Sequence, residues 1–284
     1  MWATDIWYYG CLVYEIFNGP FTVIDDIKSK GSIPNAIFSV YKDFMKGEPK
    51  ARLAPSQILQ KLTAKGEYFS NEFIQASSFL ENFALKDPHE KDQFFRKLGD
   101  IVITFPDAYC KYKVLPELVK ALDFGVAGSR ALTPLLKIGQ KLSEAEYETY
   151  IVSSVLKLFA QQDRTMRVSL LENLPTYIDN ISPKLVNEKI FPQVASGFTD
   201  TAPAMRELSI KSMLLFAPKL NTKVMNNDLL RFFAKLQTDE EPGIRTNTTI
   251  CLGKIAEYMD TQVSSFSSSL LRFVAGPSSS YSPL

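Results

Sequence analysis

Regularly spaced arginines are the residues of this chain with the clearest potential for charged chemistry. They recur at intervals of 37, 39 and 39 residues: Arg130, Arg167, Arg206 and Arg245. An aspartate stands four or six residues before each of the last three: Asp163, Asp200 and Asp239. Such a ladder could form a charged binding surface, or it could supply helix caps and ion pairs inside the turns. We favour the second interpretation, in which the aspartates cap the helices that follow and the ion pairs stay within each repeat.

Residues suited to catalysis or metal binding are sparse. His89 is the single histidine and lies among charged residues in DPHEKDQFF, which predicts an exposed position in the first turn of a helix. Cys11, Cys110 and Cys251 are far apart and set among apolar residues, which indicates buried reduced thiols rather than a disulfide framework or a zinc site. The sequence therefore predicts no metal, no cofactor and no catalytic residue.

The segments around the arginines explain their spacing. Four apolar runs start at Val114, Val152, Ile190 and Leu229, and each is followed by a polar break, an arginine and a second apolar run. A period near forty built from two helices is typical of a HEAT-type solenoid, in which neighbouring pairs must stack to bury their apolar faces. Loss of an internal apolar side chain, such as Phe198 or Leu214, should then cost about 3 kcal/mol. Prolines are expected at helix starts or turns: Pro116, Pro192 and Pro242.

Composition and charge exclude several classes of protein. The 284 residues are 45% hydrophobic and 22% charged, with a formal net charge of +1, so no global field would concentrate nucleic acid or anionic membrane. No apolar run reaches the roughly 20 residues of a membrane span, and no signal-peptide pattern follows Met1, so we expect a cytoplasmic protein without direct membrane insertion. A modest group of lysines, interspersed with acidic residues, offers a local basic surface: Lys184, Lys189, Lys211, Lys219 and Lys223.

The segment DIWYYGCLVYEIFN, residues 5 to 18, predicts a helix that is apolar almost all round and ends at Gly19 and Pro20. Its motif D-x-W-x-x-G-C-L-x-x-E resembles the central helix of the protein-kinase large lobe, and Arg52 matches the arginine of the last conserved kinase subdomain. The resemblance implies structural remnants of that lobe: Asp5, Trp7, Gly10 and Arg52. In kinases the aspartate braces the catalytic loop, and the arginine pairs with a glutamate of the activation segment.

The motifs that would make this lobe an enzyme are missing from the sequence. It contains no glycine-rich phosphate loop, no strand lysine in a V-A-I-K context and no H-R-D-x-x-x-x-N, and its D-F-G, at residues 123–125, lies outside the kinase-like segment 1–65. Without them nothing positions ATP or holds magnesium, so we expect no kinase activity. Because an apolar helix begins right after Met1, we expect the chain to be a truncated form or part of a longer protein.

A kinase-lobe remnant that leads into HEAT repeats resembles the SCY-like pseudokinases, also called N-terminal kinase-like proteins. The matching stretches are residues 121–147, 190–221 and 245–259, beginning ALDFGVAGSRALTPLLKIG, IFPQVASGFTDTAPAMREL and RTNTTICLGKIAEYM. The implied fold is all-α: an α-solenoid of HEAT-type helix pairs preceded by a partial kinase large lobe. The predicted domains are a lobe remnant (1–65), first solenoid helices (66–113), the HEAT solenoid (114–263) and a low-complexity tail (264–284).

The resemblance implies a non-catalytic scaffold in Golgi-to-endoplasmic-reticulum vesicle traffic, peripheral at the Golgi, with COPI coat components and small GTPases as partners. The chain ends in SYSPL, without the basic C-terminal motif by which some members bind the coat. An alternative is a tRNA-export adaptor, which would need an exposed basic stripe or stacking aromatics. A third alternative, an active kinase, is not supported by the residues present.

Overall fold

The computed structural model describes residues 2–123, 125 and 128–259. All regular elements in these ranges are helical, which confirms the predicted all-α class. The chain divides into a unit formed by Met1–Ala84 and a second unit that starts at Leu85. The boundaries predicted from the sequence at residues 65 and 113 stay predictions, and the low-complexity tail falls outside the described residues.

The first unit is a small helical cluster around one core. Its helices are α1 (Trp2–Asn18), α2 (Asn35–Phe44), α3 (Pro55–Thr63) and α4 (Glu72–Glu81). Helix α1 ends where Gly19 adopts a φ of 81°, a left-handed conformation that glycine tolerates without a Cβ clash. The core combines side chains from α1, α2 and α3 with Ile33 in the loop: Ile6, Val13, Ile37, Tyr41, Phe44, Ile58 and Leu62. Helix α4 begins after Asn71, whose side chain accepts a hydrogen bond from the Ile74 amide.

The second unit stacks helix pairs. Its α-helices are α5 (Pro88–Ile101), α6 (Asp107–Tyr109), α7 (Leu115–Asp123), α8 (Leu132–Gly139), α9 (Glu144–Glu146), α10 (Ser153–Ala160), α11 (Arg164–Glu172), α12 (Pro183–Leu185), α13 (Phe191–Ala195), α14 (Pro203–Phe216), α15 (Leu230–Leu236) and α16 (Pro242–Ile255). We number the repeats 1 to 4 by their second helices, α8, α11, α14 and α16. First helices pack on first helices, as α7 on α10 and α10 on α13, and second helices do likewise, as α11 on α14 and α14 on α16.

Each first helix contains a turn of π-helix, which the sequence did not lead us to expect. These turns are Cys110–Val114, Tyr147–Val152, Val186–Ile190 and Val224–Leu229. In repeats 1 to 3 they join the short helices α6, α9 and α12 to the longer helices α7, α10 and α13 without a break. Pro116 and Pro192 follow as the second residues of α7 and α13, inside these continuous helices, so the expectation of helix starts is wrong for them, whereas Pro242 opens α16 as expected.

The cores of the repeats match the predicted apolar stripes in part. Ile190, Val194 and Phe198 are buried, as the spacing of four residues predicts. The prediction that Leu214 is internal is wrong, because its side chain is 37% exposed. On α14 the inward positions are taken by Ile210, Met213 and Phe216, so the apolar Leu214 falls on the outer face despite its type.

Candidate interaction surface of the helix pairs

The three cysteine thiols are buried. Cys11, Cys110 and Cys251 are free and buried, as predicted, and burial raises the pKa of Cys251 to about 12. A thiol with such a pKa stays protonated near neutrality and is a poor nucleophile. His89 is exposed in the first turn of α5, where its Nε2 lies 2.8 Å from the Gln93 amide nitrogen. Within the described residues no group of three or more histidine, cysteine or acidic side chains could hold a metal ion.

The residues that resemble the kinase lobe have structural surroundings here. The Arg52 guanidinium donates to the backbone oxygens of Ala3, at 2.7 Å, and Lys46, at 2.8 Å, so it ties the start of α1 to the end of α2. Asp5 is exposed in the first turn of α1, whereas Trp7 is half-buried. Gly10 is buried, and a Cβ there would collide with the sulfur of Met45. The helix is less buried than its composition predicts, because one face leaves apolar side chains exposed: Tyr8, Tyr9, Leu12 and Ile16.

The arginine ladder links one repeat to the next. Arg206, near the start of α14, donates from Nε and Nη2 to both oxygens of Asp239 in repeat 4, at 2.8 Å each. Arg164 reaches Asp200 of repeat 3 in a similar way, at 3.2 and 2.8 Å. Two parallel hydrogen bonds fix the relative position of the groups more tightly than a single contact between charges. The prediction that these ion pairs stay within a repeat is therefore wrong.

Of the three aspartates predicted to cap helices, one does so. Asp163 is the N-cap of α11 and accepts a hydrogen bond from the Met166 amide. Asp200 and Asp239 lie two residues too early for this, since α14 and α16 begin with prolines after Ala202 and Glu241. Their carboxylates instead accept from the amide nitrogens two residues on, within the turn. The same carboxylates remain available to an arginine of the preceding repeat.

The pair formed by Arg206 and Asp239 is nearly removed from solvent. The two side chains are 14% and 11% exposed. The hydrogen bonds from Arg206 hold the pKa of Asp239 below its ordinary value and raise the pKa of Arg206. Arg206 also donates to the backbone oxygen of Asp200 in its own turn. It therefore joins two turns of the stack and is not presented to a partner.

The remaining ladder positions are not equivalent to Arg206. Arg130 lies 3.6 Å from Asp92 of α5. Arg167 donates to the Ser196 hydroxyl at 2.8 Å, while Arg164 takes the aspartate of the next repeat. Arg245 donates to the backbone oxygens of Asp239 and Glu240. Arg164 was not among the residues expected to pair, although its position directly after the capping Asp163 is a usable signal.

The predicted lysine group does not form one basic surface. Lys211 pairs with Glu207 on α14 at 2.6 Å. Lys219 donates to the backbone oxygens of Asp179, at 2.9 Å, and Ile181, at 2.8 Å, and so fastens repeat 3 to repeat 2. Three of the lysines are exposed on the first helices or beside them: Lys184, Lys189 and Lys223.

Two grooves between repeats are lined mainly by polar side chains. One, of ≈690 Å³, lies beside Tyr147, Asn180 and Lys219. The other, of ≈440 Å³, lies among α5, α8 and α11 and includes Arg96, Arg130 and Glu172. Both combine side chains of opposite charge with hydroxyl groups, which suits the contacts of a protein surface. Within the described residues no helix is long and apolar enough to cross a membrane.

Comparison with known proteins places this architecture among kinase-like proteins. No family model matches the chain. It is 47% identical over 259 residues to the Dictyostelium discoideum protein named "Probable inactive serine/threonine-protein kinase scy1", covering 91% of this chain and 31% of that protein. It is 28% identical over 260 residues to the Schizosaccharomyces pombe protein "Protein kinase domain-containing protein ppk3", covering 91% of this chain and 40% of the relative.

A human relative and a solved structure agree with this. The human "SCY1-like protein 2" is 22% identical, over 91% of this chain and 30% of its own length. The crystal structure of Cex1p has the same fold, with a TM-score of 0.58, 21% identity and coverage of 91% of this chain and 49% of that one. The chain thus spans about a third of the length of the curated relatives it matches. On this similarity, the chain belongs to the SCY-like pseudokinase family.

Proposed function

We propose that this chain is a non-catalytic scaffold segment that binds protein partners along its stacked helix pairs. The observation that carries the proposal is the bonding between repeats, in which Arg164 and Arg206 hold Asp200 and Asp239 of the next repeat. A stack fixed in this way presents a long surface of constant geometry, which suits protein recognition. The name of the Dictyostelium relative, "Probable inactive", also favours a role without phosphoryl transfer.

We further propose a place for this scaffold in vesicle traffic between the Golgi and the endoplasmic reticulum. COPI coat components and small GTPases are the partner classes, and the protein would be cytoplasmic and peripheral at the Golgi. The support for this finer statement is the family resemblance of the helical segments described above. A fluorescent fusion of the chain should colocalise with a Golgi marker, and a diffuse signal in the presence of its partners would count against the proposal.

The arrangement of charge favours protein over nucleic acid. The net charge is +1, and the charges of Arg164 and Arg206 are paired with aspartates of the next repeat, although Arg164 is itself exposed. Of the predicted lysine group, Lys211 and Lys219 already have acceptors. A nucleic-acid surface needs several free cations in a row to neutralise phosphates. A tRNA-export role is the alternative that the experiment below must exclude.

The test is capture from cytosol with the full chain, followed by mass spectrometry and RNA sequencing of the retained material. Coat subunits or Golgi GTPases without enriched RNA are the expected result. Enrichment of tRNA at physiological salt would replace the trafficking scaffold with the RNA adaptor. Retention of neither class would refute the scaffold role for this part of the protein.

A further inference from the structure

A groove between the first helices of repeats 3 and 4 has an apolar floor. It lies between α13 and α15 and has a volume of ≈470 Å³. Apolar side chains from both helices and from the adjoining π turn line it: Phe191, Pro192, Ala195, Val224 and Phe232. We call this the α13–α15 groove. Its size suits one or two bulky side chains of a peptide rather than a large cofactor.

The rim of the α13–α15 groove carries two cations without acidic partners. Arg231 and Lys235 are exposed and stand one helical turn apart on α15. Neither forms an ion pair with any residue in the part of the chain that the structure describes. Asp228 lines the same groove two turns before Lys235, about 10 Å away along the helix axis. Asp228 also stands about one turn before Arg231, so the positive charge of the groove is least compensated at Lys235.

The equivalent lysine in repeat 2 shows what is unusual about Lys235. Lys157 and Lys235 each stand ten residues before a ladder arginine. Lys157 donates to both oxygens of Asp123 in the preceding repeat, at 3.1 and 2.9 Å. The position that corresponds to Asp123 in repeat 3 is Thr199, whose hydroxyl donates to the backbone oxygen of Ser196. Lysines at the same position of two repeats therefore differ. Lys157 of repeat 2 pairs with an aspartate, whereas Lys235 of repeat 4 has no acidic partner among the described residues and lies beside an apolar groove.

We propose that the α13–α15 groove binds a short segment of a partner protein that carries a bulky apolar side chain with acidic side chains next to it. The apolar side chain fills the floor beside Phe232, and its burial provides affinity. The acidic side chains face Arg231 and Lys235 and set the direction of the segment. This inference rests on the proposed scaffold function and names the chemistry of one class of partner.

The test is selection of peptides from a displayed library of random 12-residue sequences on the full chain, followed by fluorescence anisotropy with the selected peptides. Enriched sequences should combine tryptophan, phenylalanine or leucine with two or more acidic residues. Their affinity should fall about tenfold or more in a variant with Arg231→Glu and Lys235→Glu, and it should weaken with salt. Lys254→Glu, an exposed charge reversal on α16, is the matched control and should leave the affinity unchanged.

The outcomes separate this inference from the scaffold function. Enrichment of peptides without acidic residues, or affinities indifferent to the double variant, would overturn the groove proposal. It would also be overturned if the double variant weakened binding of a 20-residue single-stranded RNA but not of the peptides. If the wild type and the double variant both capture coat subunits, the scaffold function is supported, and the α13–α15 groove is not the site that binds those subunits.

Discussion

Arg206 is the residue at which the electrostatics of the stack can be measured most directly. Its guanidinium binds Asp239 of the next repeat and the Asp200 backbone oxygen of its own turn, in surroundings that are largely closed to water. Arg206→Ala should lower the free energy of unfolding by about 2 kcal/mol, because it removes charged hydrogen bonds and leaves a carboxylate poorly solvated. Urea denaturation at neutral pH measures this loss. Lys211→Ala, which removes an exposed pair on the same helix, should cost less than about 0.5 kcal/mol.

The same pair predicts a dependence on pH. Because Arg206 lowers the pKa of Asp239 in the folded state, the carboxylate contributes stability above its unfolded pKa of about 3.9. That contribution is lost as the pH falls from there through the lowered folded pKa. The Arg206→Ala variant should therefore lose less stability than the wild type between neutral pH and this acidic range. Equal losses in the two proteins would show that Asp239 is not stabilised by the arginine.

Single residues also mark the limit of what the sequence reveals. The spacing of the arginines predicted ion pairs within each repeat, but Arg206 pairs with the aspartate of the next repeat, and Arg245 bonds to backbone oxygens of its own turn. Capping of a helix and ion pairing with an arginine both require an aspartate at nearly the same position of the turn, so the sequence does not distinguish the two roles. The decision between them depends on where α14 and α16 begin, and Pro203 and Pro242 set those starts two residues later than expected. A shift of this size falls within the usual uncertainty of helix boundaries.

At the scale of elements, close packing of a first helix against its own second helix depends on Gly197. A Cβ at this position would collide with the buried Ser209 hydroxyl, which is hydrogen-bonded to the Met205 backbone oxygen. Gly197→Ala should therefore destabilise the protein by about 1 to 3 kcal/mol, since the backbone or Ser209 must move. Thermal denaturation followed by circular dichroism measures the change.

Gly253 supplies the matched control, because no atom lies within 4 Å of the position its Cβ would take. Gly253→Ala on α16 should be neutral or stabilising by up to about 1 kcal/mol, since alanine has the higher helix propensity. A destabilisation of similar size in both variants would indicate that helix propensity, and not the contact with Ser209, governs Gly197.

Helical periodicity predicted the elements better than their details. The stripe of Ile190, Val194 and Phe198 is buried because residues four apart share a helix face. The same rule failed at Leu214. Several apolar residues follow one another there, so residue type alone does not tell which of them faces inward. The π turns were not predictable, since one additional residue in a helical turn leaves no mark on composition. Nor was the α13–α15 groove, which exists only once two repeats are placed side by side.

At the scale of the whole second unit, stability depends on the interfaces between neighbouring repeats. The Phe198 ring contacts two rings of the following repeat, Phe232 at 5.2 Å and Phe233 at 5.8 Å between centroids. Phe198→Ala should cost about 3 to 5 kcal/mol and uncouple repeats 3 and 4. The expected signature is an unfolding transition that splits or broadens in urea.

Leu214→Ala is the appropriate comparison, because this side chain is 37% exposed. We expect it to cost about 1 kcal/mol or less and to leave the cooperativity of unfolding intact. Unchanged cooperativity in Phe198→Ala would contradict the stacking of repeats as the source of stability. A large effect of Leu214→Ala would instead imply that its outer face is covered in solution.

The π turns bear on how this stack tolerates changes in chain length. Each turn holds one residue more than an α-helical turn of the same kind, and it lies near the start of a first helix. Deletion of one residue there would yield a continuous α-helix and leave the packed C-terminal portion in register. The short stretch before it would keep nearly the same face, because the deleted residue is the additional one of the wide turn. Among related sequences, we therefore expect single-residue insertions and deletions to be accepted in these turns more readily than anywhere else in the first helices.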